Sequence, residues 1–119
     1  MTYTVPTAVD ADVRAWLAEY GAADADAAYL LVDRHDPTGV AFTTVAPAGA
    51  DGLVTTDVTY GELADRSRRL ACALTRLGVT RGTRVGVLMG KRTELVVTLL
   101  ALARLGAVYI PLFTAFATP

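Results

Sequence analysis

The sequence predicts an α/β fold: an N-terminal helix and a β-hairpin, followed by a second helix and a parallel β-α-β unit. Three observations predict it. Apolar residues recur at helical spacing in some windows and crowd into short β-branched runs in others. The stretch from Gly90 to Gly106 between the last two such runs is long enough for the helical crossover that joins parallel strands. The 119 residues are 53% hydrophobic and 19% charged, enough apolar surface to offset the entropy of ordering one domain and too little charge for a disordered segment.

Residues 1 to 36 are alanine-rich and acidic, and form the first of two predicted sections. Within them Val13, Trp16, Leu17 and Tyr20 line one side of a short helix, and Gly21 follows as its stop. That apolar side requires a neighbour. Val40 to Val45 and Leu53 to Val58 then read as two strands, joined by the turn-forming run from Pro47 to Gly52 into a hairpin.

Thr59-Tyr60-Gly61-Glu62 has the spacing of a capping box, in which the threonine hydroxyl satisfies one orphan amide and the glutamate reaches back to another. The helix it starts carries Leu63, Leu70, Ala71, Leu74 and Leu77 as an apolar stripe, with Gly78 as a left-handed stop. Asp65, Arg66, Arg68, Arg69 and Arg76 fall off the stripe and read as a solvated face. Arg84 to Met89 is a strand, Thr93 to Leu105 a helix ended by Gly106, and Ala107 to Leu112 a further strand. The apolar residues of the Thr93 to Leu105 helix surround nearly its whole circumference, which predicts burial on all sides.

Most self-contained chemistries are excluded. Eleven basic against twelve acidic residues leave a net charge of -1, without the basic field of a nucleic-acid binder, and no aromatic residues interleave with the arginines of residues 66 to 76. Cys72 is the only cysteine, which excludes a disulfide framework and a multi-thiolate zinc site. No positively charged stretch leads into an apolar run at the N-terminus, and Arg104, Gly106 and Pro111 interrupt the most apolar stretch, so neither a secretory signal nor a transmembrane helix is expected, and a cytoplasmic location is. Gly90-Lys91-Arg92-Thr93 stands where a phosphate loop would, but Val85 replaces the required first glycine and Arg92 the hydroxyl residue after the lysine. The glycines at 78, 82, 86 and 90 do not make a dinucleotide fingerprint. Asp33, His35 and Asp36 are the one cluster with ligand chemistry, but Asp36-Pro37-Thr38-Gly39 is a standard turn composition, so a turn and not a metal site is expected there. With Ser67 as the sole serine and His35 as the sole histidine, no nucleophile and base pair stands out.

Val58-Thr59-Tyr60-Gly61-Glu62-Leu63 resembles the Thr-Tyr-x-Glu-Leu motif near the start of adenylate-forming enzymes. Arg104-Leu105-Gly106-Ala107-Val108-Tyr109-Ile110-Pro111-Leu112 resembles their second core motif, in matching order and spacing. Asp33-Arg34-His35, Leu88-Met89-Gly90-Lys91 and the run from Pro111 to Phe116 are most similar to AMP-forming acyl-CoA synthetases of the acetyl-CoA synthetase type. The resemblance spans residues 28 to 119 and makes residues 37 to 119 the opening of a larger AMP-binding synthetase domain.

It implies a ligase that joins a short-chain or fatty carboxylic acid to ATP as an acyl adenylate and then transfers the acyl group to coenzyme A, with ATP, magnesium and coenzyme A as cofactors of the complete enzyme. The family's phosphate loop, nucleotide contacts, hinge and catalytic lysine lie beyond Pro119, so the resemblance transfers no catalytic residue and implies a missing remainder as partner. No ligase activity and no bound cofactor are expected of these residues alone, and marginal folding or aggregation is. Thr59, Tyr60, Glu62, Gly106 and Pro111 match motif positions with structural roles, namely capping, helix termination and strand-edge shaping. Phe113, Thr114, Ala115 and Phe116 map to a Phe-Gly-Gly-Phe segment near coenzyme A in acetyl-CoA synthetases, with both glycines replaced. The alternative from another class is a small non-catalytic α/β module that pairs with a complementary chain through its apolar sheet edge.

Overall fold

The structure, a computed structural model, describes residues 7–49 and 52–114. Its elements run α1 (Thr7–Tyr20), a π-helical turn (Tyr29–Asp33), β1 (Val40–Pro47), β2 (Leu53–Thr59), α2 (Tyr60–Arg76), β3 (Arg84–Leu88), α3 (Thr93–Leu105) and β4 (Val108–Leu112). β1 and β2 form the antiparallel hairpin, with Thr43 opposite Asp57 and Val45 opposite Thr55, and one irregularity between Val40 and Phe42. β3 and β4 pair in parallel around α3, with Gly86 beside Ile110 and Leu88 beside Leu112, so the mixed α/β architecture and its crossover are as the sequence predicts.

The core lies where three layers meet. Ala28 at the N-cap of the π-helical turn and Val32 within it, Val58 from β2, Leu63 and Ala64 from α2, and Val97 and Leu100 from α3 form one buried cluster. The π-helical turn was not legible in the acidic N-terminal section, because two inward residues four apart are too short a signal to mark a helix. One contact fixes its start and another holds its exit against α2. Asp26 caps it by accepting from the main-chain N–H groups of Ala28 and Tyr29, and the His35 ring stacks on Tyr60 with centroids 4.5 Å apart.

The entry to α2 follows from its motif. Thr59 sits extended at the N-cap and its hydroxyl accepts from the Glu62 N–H at 3.2 Å. The reciprocal half of the capping box does not form: Arg66 Nη1 donates to the Glu62 carboxylate at 3.0 Å, one helical turn on, and holds it away from the cap. Gly61 is required for close approach, since its N–H donates to the Pro37 carbonyl at 2.9 Å and a Cβ there would lie 2.9 Å from the same oxygen. At the far end the N–H groups of Gly78 and Val79 donate to the carbonyls of Thr75 and Leu74, a Schellman closure. Thr59→Ala is expected to lower stability by about 1 kcal/mol. Thr59→Ser should retain most of it in a urea titration followed by circular dichroism.

Three packing expectations are corrected. Leu77 belongs to the α2 stripe by spacing but is 80% exposed, because it is already the C-cap, beyond the last residue held against a neighbour. Ala64 and Ser67 take buried places on that face instead. α3 is not buried on all sides: Val97, Leu100, Ala101 and Leu102 are buried against α2 and the strands, whereas Leu99 is 37% exposed. On α1, Val13, Trp16, Leu17 and Tyr20 remain exposed, so the neighbour that their spacing calls for is not supplied by the described residues. The radius of gyration, 18.5 Å, exceeds the roughly 13 to 14 Å of a compact domain of this length.

Candidate functional site

The parallel pair places its functional end. In open α/β sheets ligands bind outside the carboxyl ends of the strands. The register that sets Leu88 beside Leu112 brings the loop after β3, Met89 to Arg92, next to Phe113 and Thr114 after β4. α3 begins at the same end, with Arg92 extended at its N-cap and Arg92 Nε donating to Glu94 Oε2 at 2.7 Å. The Glu94 N–H, and then Arg92, hold the Glu94 carboxyl below its ordinary range. Phe113 is 68% exposed and Thr114 is exposed on a turn, while Ala115 and Phe116 lie outside the described residues.

This end lacks a phosphate cradle of its own. The loop spans only residues 89 to 92, and Gly90, which a Cβ would leave in open space, does not take a positive φ. Such a loop cannot curl its amides around a phosphate, so the described residues do not fit ATP by themselves.

The remaining motif residues act as scaffold. Gly106 closes α3 in the left-handed conformation, φ 61°, with its carbonyl accepting from the Gly82 N–H at 2.9 Å. Pro111 occupies β4 opposite Val87. Tyr60 stacks on His35, and Glu62 pairs with Arg66, whose other nitrogen reaches Glu94 of α3 at 3.2 Å.

A second cluster of polar groups lies deeper, and sequence reasoning did not find it. Arg104 near the end of α3 donates to both oxygens of Asp33 at 2.7 Å, and its Nε donates to Ser67 Oγ at 3.0 Å. Ser67 is fully buried and its hydroxyl donates to the Ala64 carbonyl. Arg68 adds a contact to Asp33 at 3.0 Å. The Asp33 and Arg104 side chains are only 14% and 12% exposed. Hydrogen bonds from Arg104 outweigh burial and hold the Asp33 carboxyl below its ordinary value, while the same bonds raise Arg104. Asp33 therefore stays ionised and is occupied by cations, and the serine hydroxyl is fully engaged, so the cluster is a clasp between three elements and no nucleophile and base.

The turn that Asp36-Pro37-Thr38-Gly39 predicts is present, and one reading from the sequence, that of the α2 arginines, changes. Asp33, His35 and Asp36 do not converge: Asp33 faces Arg104, His35 faces Tyr60, and Asp36 accepts from the Thr38 N–H and hydroxyl. Those two bonds make the Asp36 turn and hold its carboxyl below the ordinary range. The arginines of α2 are not merely a solvated face, since Arg66 and Arg68 reach other elements, whereas Arg69 stays on its own helix with Asp65.

A helix–hairpin–helix entry into a parallel crossover, clasped by a buried ion pair and open at the strands' carboxyl ends, defines a mixed α/β fold. The family of AMP-binding enzymes matches residues 40–119. Acetyl-coenzyme A synthetase 2 of Eremothecium gossypii is 42% identical over 96 residues, 78% of this chain and 14% of that protein. The acetyl-coenzyme A synthetase of Paraburkholderia phymatum is 33% identical over 83% of this chain and 15% of its own length. Among solved structures, an acyl-CoA synthetase of Brucella canis superposes over 90% of this chain and 19% of its own, with a TM-score of 0.69 and 34% identity. The chain belongs to the AMP-binding enzyme family, and within it is similar to the N-terminal region of acyl-CoA synthetases. It spans 14 to 15% of the length of these two curated relatives. Among the described residues no helix is long and apolar enough to cross a membrane.

Proposed function

We propose that these residues are the opening scaffold of an AMP-forming carboxylate–CoA ligase that acts on a short-chain or fatty acid in the cytosol. In the reaction, a carboxylate oxygen attacks the α-phosphorus of ATP and releases pyrophosphate, and the sulfur of coenzyme A then displaces AMP from the acyl carbon. ATP with magnesium is held by the remainder of the synthetase. This chain contributes the parallel pair and its carboxyl end, where Phe113 and Thr114 lie in the vicinity of coenzyme A. The observation that carries the reading is the match to acetyl-CoA synthetases over 78% of this chain but 14% of the relative.

The chain alone is expected to release no pyrophosphate from ATP with acetate or a fatty acid. Co-expressed with the polypeptide that follows the matched region in the Eremothecium gossypii synthetase, it should restore acid-dependent release. Release by the purified chain alone would refute the incompetence, and failure of the pair to co-purify would refute the scaffold reading. The buried cluster from Ala28 to Leu100 gives the chain a core of its own. A monodisperse, cooperatively melting chain that ignores the synthetase remainder would therefore favour the non-catalytic interaction module.

A further inference from the structure

Charge is laid out unevenly along the chain. From Arg66 to Thr93 the sequence carries basic side chains and no acidic one. Arg66, Arg68, Arg69 and Arg92 spend their charge on carboxylates of other segments or of their own. Arg76, Arg81 and Arg84 do not. All three are exposed, and none makes a side-chain hydrogen bond or ion pair among the described residues.

These three arginines share one connection. Arg76 closes α2 and Arg84 opens β3. Between them Leu77 is exposed, and Gly78 and Gly82 take φ values of 89° and 79°, which fold the connection into tight turns. The Thr80 N–H donates to Thr83 Oγ1 at 3.0 Å and fixes the tip. The Arg81 stem lies against Gly106, and Asp24 and Asp26 line a polar cavity with it, Asp26 being occupied as a cap. Arg76 and Arg84 have no such carboxylate beside them. The Gly82 N–H donates to the Gly106 carbonyl and the Val108 N–H to the Thr83 carbonyl, so the connection sits where both parallel strands begin, at the pole opposite their carboxyl ends.

We infer that the α2–β3 connection docks on an anionic lipid bilayer, with Arg76, Arg81 and Arg84 on lipid phosphates and Leu77 inserted among the acyl chains. The inference rests on the proposed ligase acting on fatty acids, which partition into bilayers. Docking by this pole leaves the carboxyl ends of the strands turned to water. An apolar side chain displayed among guanidinium groups is the amphipathic pattern that suits a bilayer interface. Cations near an anionic leaflet gain from its surface potential without fixed partners.

Cosedimentation of the chain with vesicles of phosphatidylglycerol mixed with phosphatidylcholine, and with vesicles of phosphatidylcholine alone, tests it. The chain is expected to bind the anionic vesicles at low salt about a hundredfold more tightly than the neutral ones, and to be released as salt rises. Arg76→Gln, Arg81→Gln and Arg84→Gln should each weaken binding by about fivefold, and the triple variant by about a hundredfold. Leu77→Ala, a change at an exposed position that leaves the fold in place, should weaken it by about tenfold. Arg69→Gln is the control: it removes an equal charge that is paired with Asp65, and binding should change by less than about twofold. Equal binding to neutral vesicles, or a triple variant that binds like the parent, would assign attachment to another surface and overturn the docking site. Absence of binding to the anionic vesicles would overturn it as well. A salt-sensitive oligomer that the triple variant dissolves, in place of vesicle binding, would assign the arginines to the acidic N-terminal section of a second copy and overturn the bilayer. The scaffold reading is tested separately, by co-purification with the synthetase remainder, and stands under each of these outcomes.

Discussion

Arg104→Ala is expected to remove the cooperative unfolding transition of the chain. The substitution leaves the Asp33 carboxylate only 14% exposed with Arg68 as its remaining cation, and deprives buried Ser67 of one partner. Breaking one side of a buried pair costs about 3 to 5 kcal/mol, against a total of about 5 to 15 kcal/mol for a whole domain. Arg104→Met separates the effects, because an apolar side chain of similar length keeps the packing around the stem while still stranding Asp33; pairing it with Asp33→Leu removes both charges and should recover most of the loss. A single Arg104→Ala variant that melts with the parent would show that the clasp does not join these elements.

The same clasp sets an acid limit. Asp33 has its carboxyl held below the ordinary 3.8 in the folded chain, first by the hydrogen bonds from Arg104. Its contribution is therefore fully present above that value and is lost as pH falls through the lower folded value. The stability gap between the parent and Asp33→Asn should be constant from neutral pH down to about pH 5 and close only below about pH 4. Urea midpoints at several pH values check this, and a gap that closes near pH 6 would assign the titration to another group.

Leu102→Ala is the second large loss, about 2 to 5 kcal/mol, because the side chain is 1% exposed and its removal leaves a cavity that the packed helices cannot collapse. Leu77→Ala, at 80% exposure, is expected to stay within about 0.5 kcal/mol. The contrast is the test, since the two leucines are of one type, one in the last turn of α3 and the other at the C-cap of α2. Equal losses would contradict the burial pattern of α2 and α3.

The local structure was written in short-range signals. Thr59 caps a helix because its hydroxyl reaches an amide three residues on, and Gly106 ends one because it accepts a left-handed conformation at once. The boundaries of α3 and the pairing of β3 with β4 follow from such signals and from the length of the crossover. The family was legible too, since the Thr59 to Leu63 and Arg104 to Leu112 motifs keep their order and spacing, and the match over residues 40–119 confirms it. The clasp was not. Asp33 and Arg104 are 71 residues apart, and nothing near either in the chain marks it as the other's partner.

What the sequence determined by itself is therefore the set of elements, their caps, the parallel crossover and the family, because each is fixed by residues within a few turns of one another or by an ordered motif. Only the tertiary structure decided which charges are buried, that Glu62 abandons the cap for Arg66 and that one flank of α3 stays exposed. These depend on where distant segments come to lie: an ion pair or an uncovered flank is a property of the space between elements, and periodicity along a chain carries no record of that space.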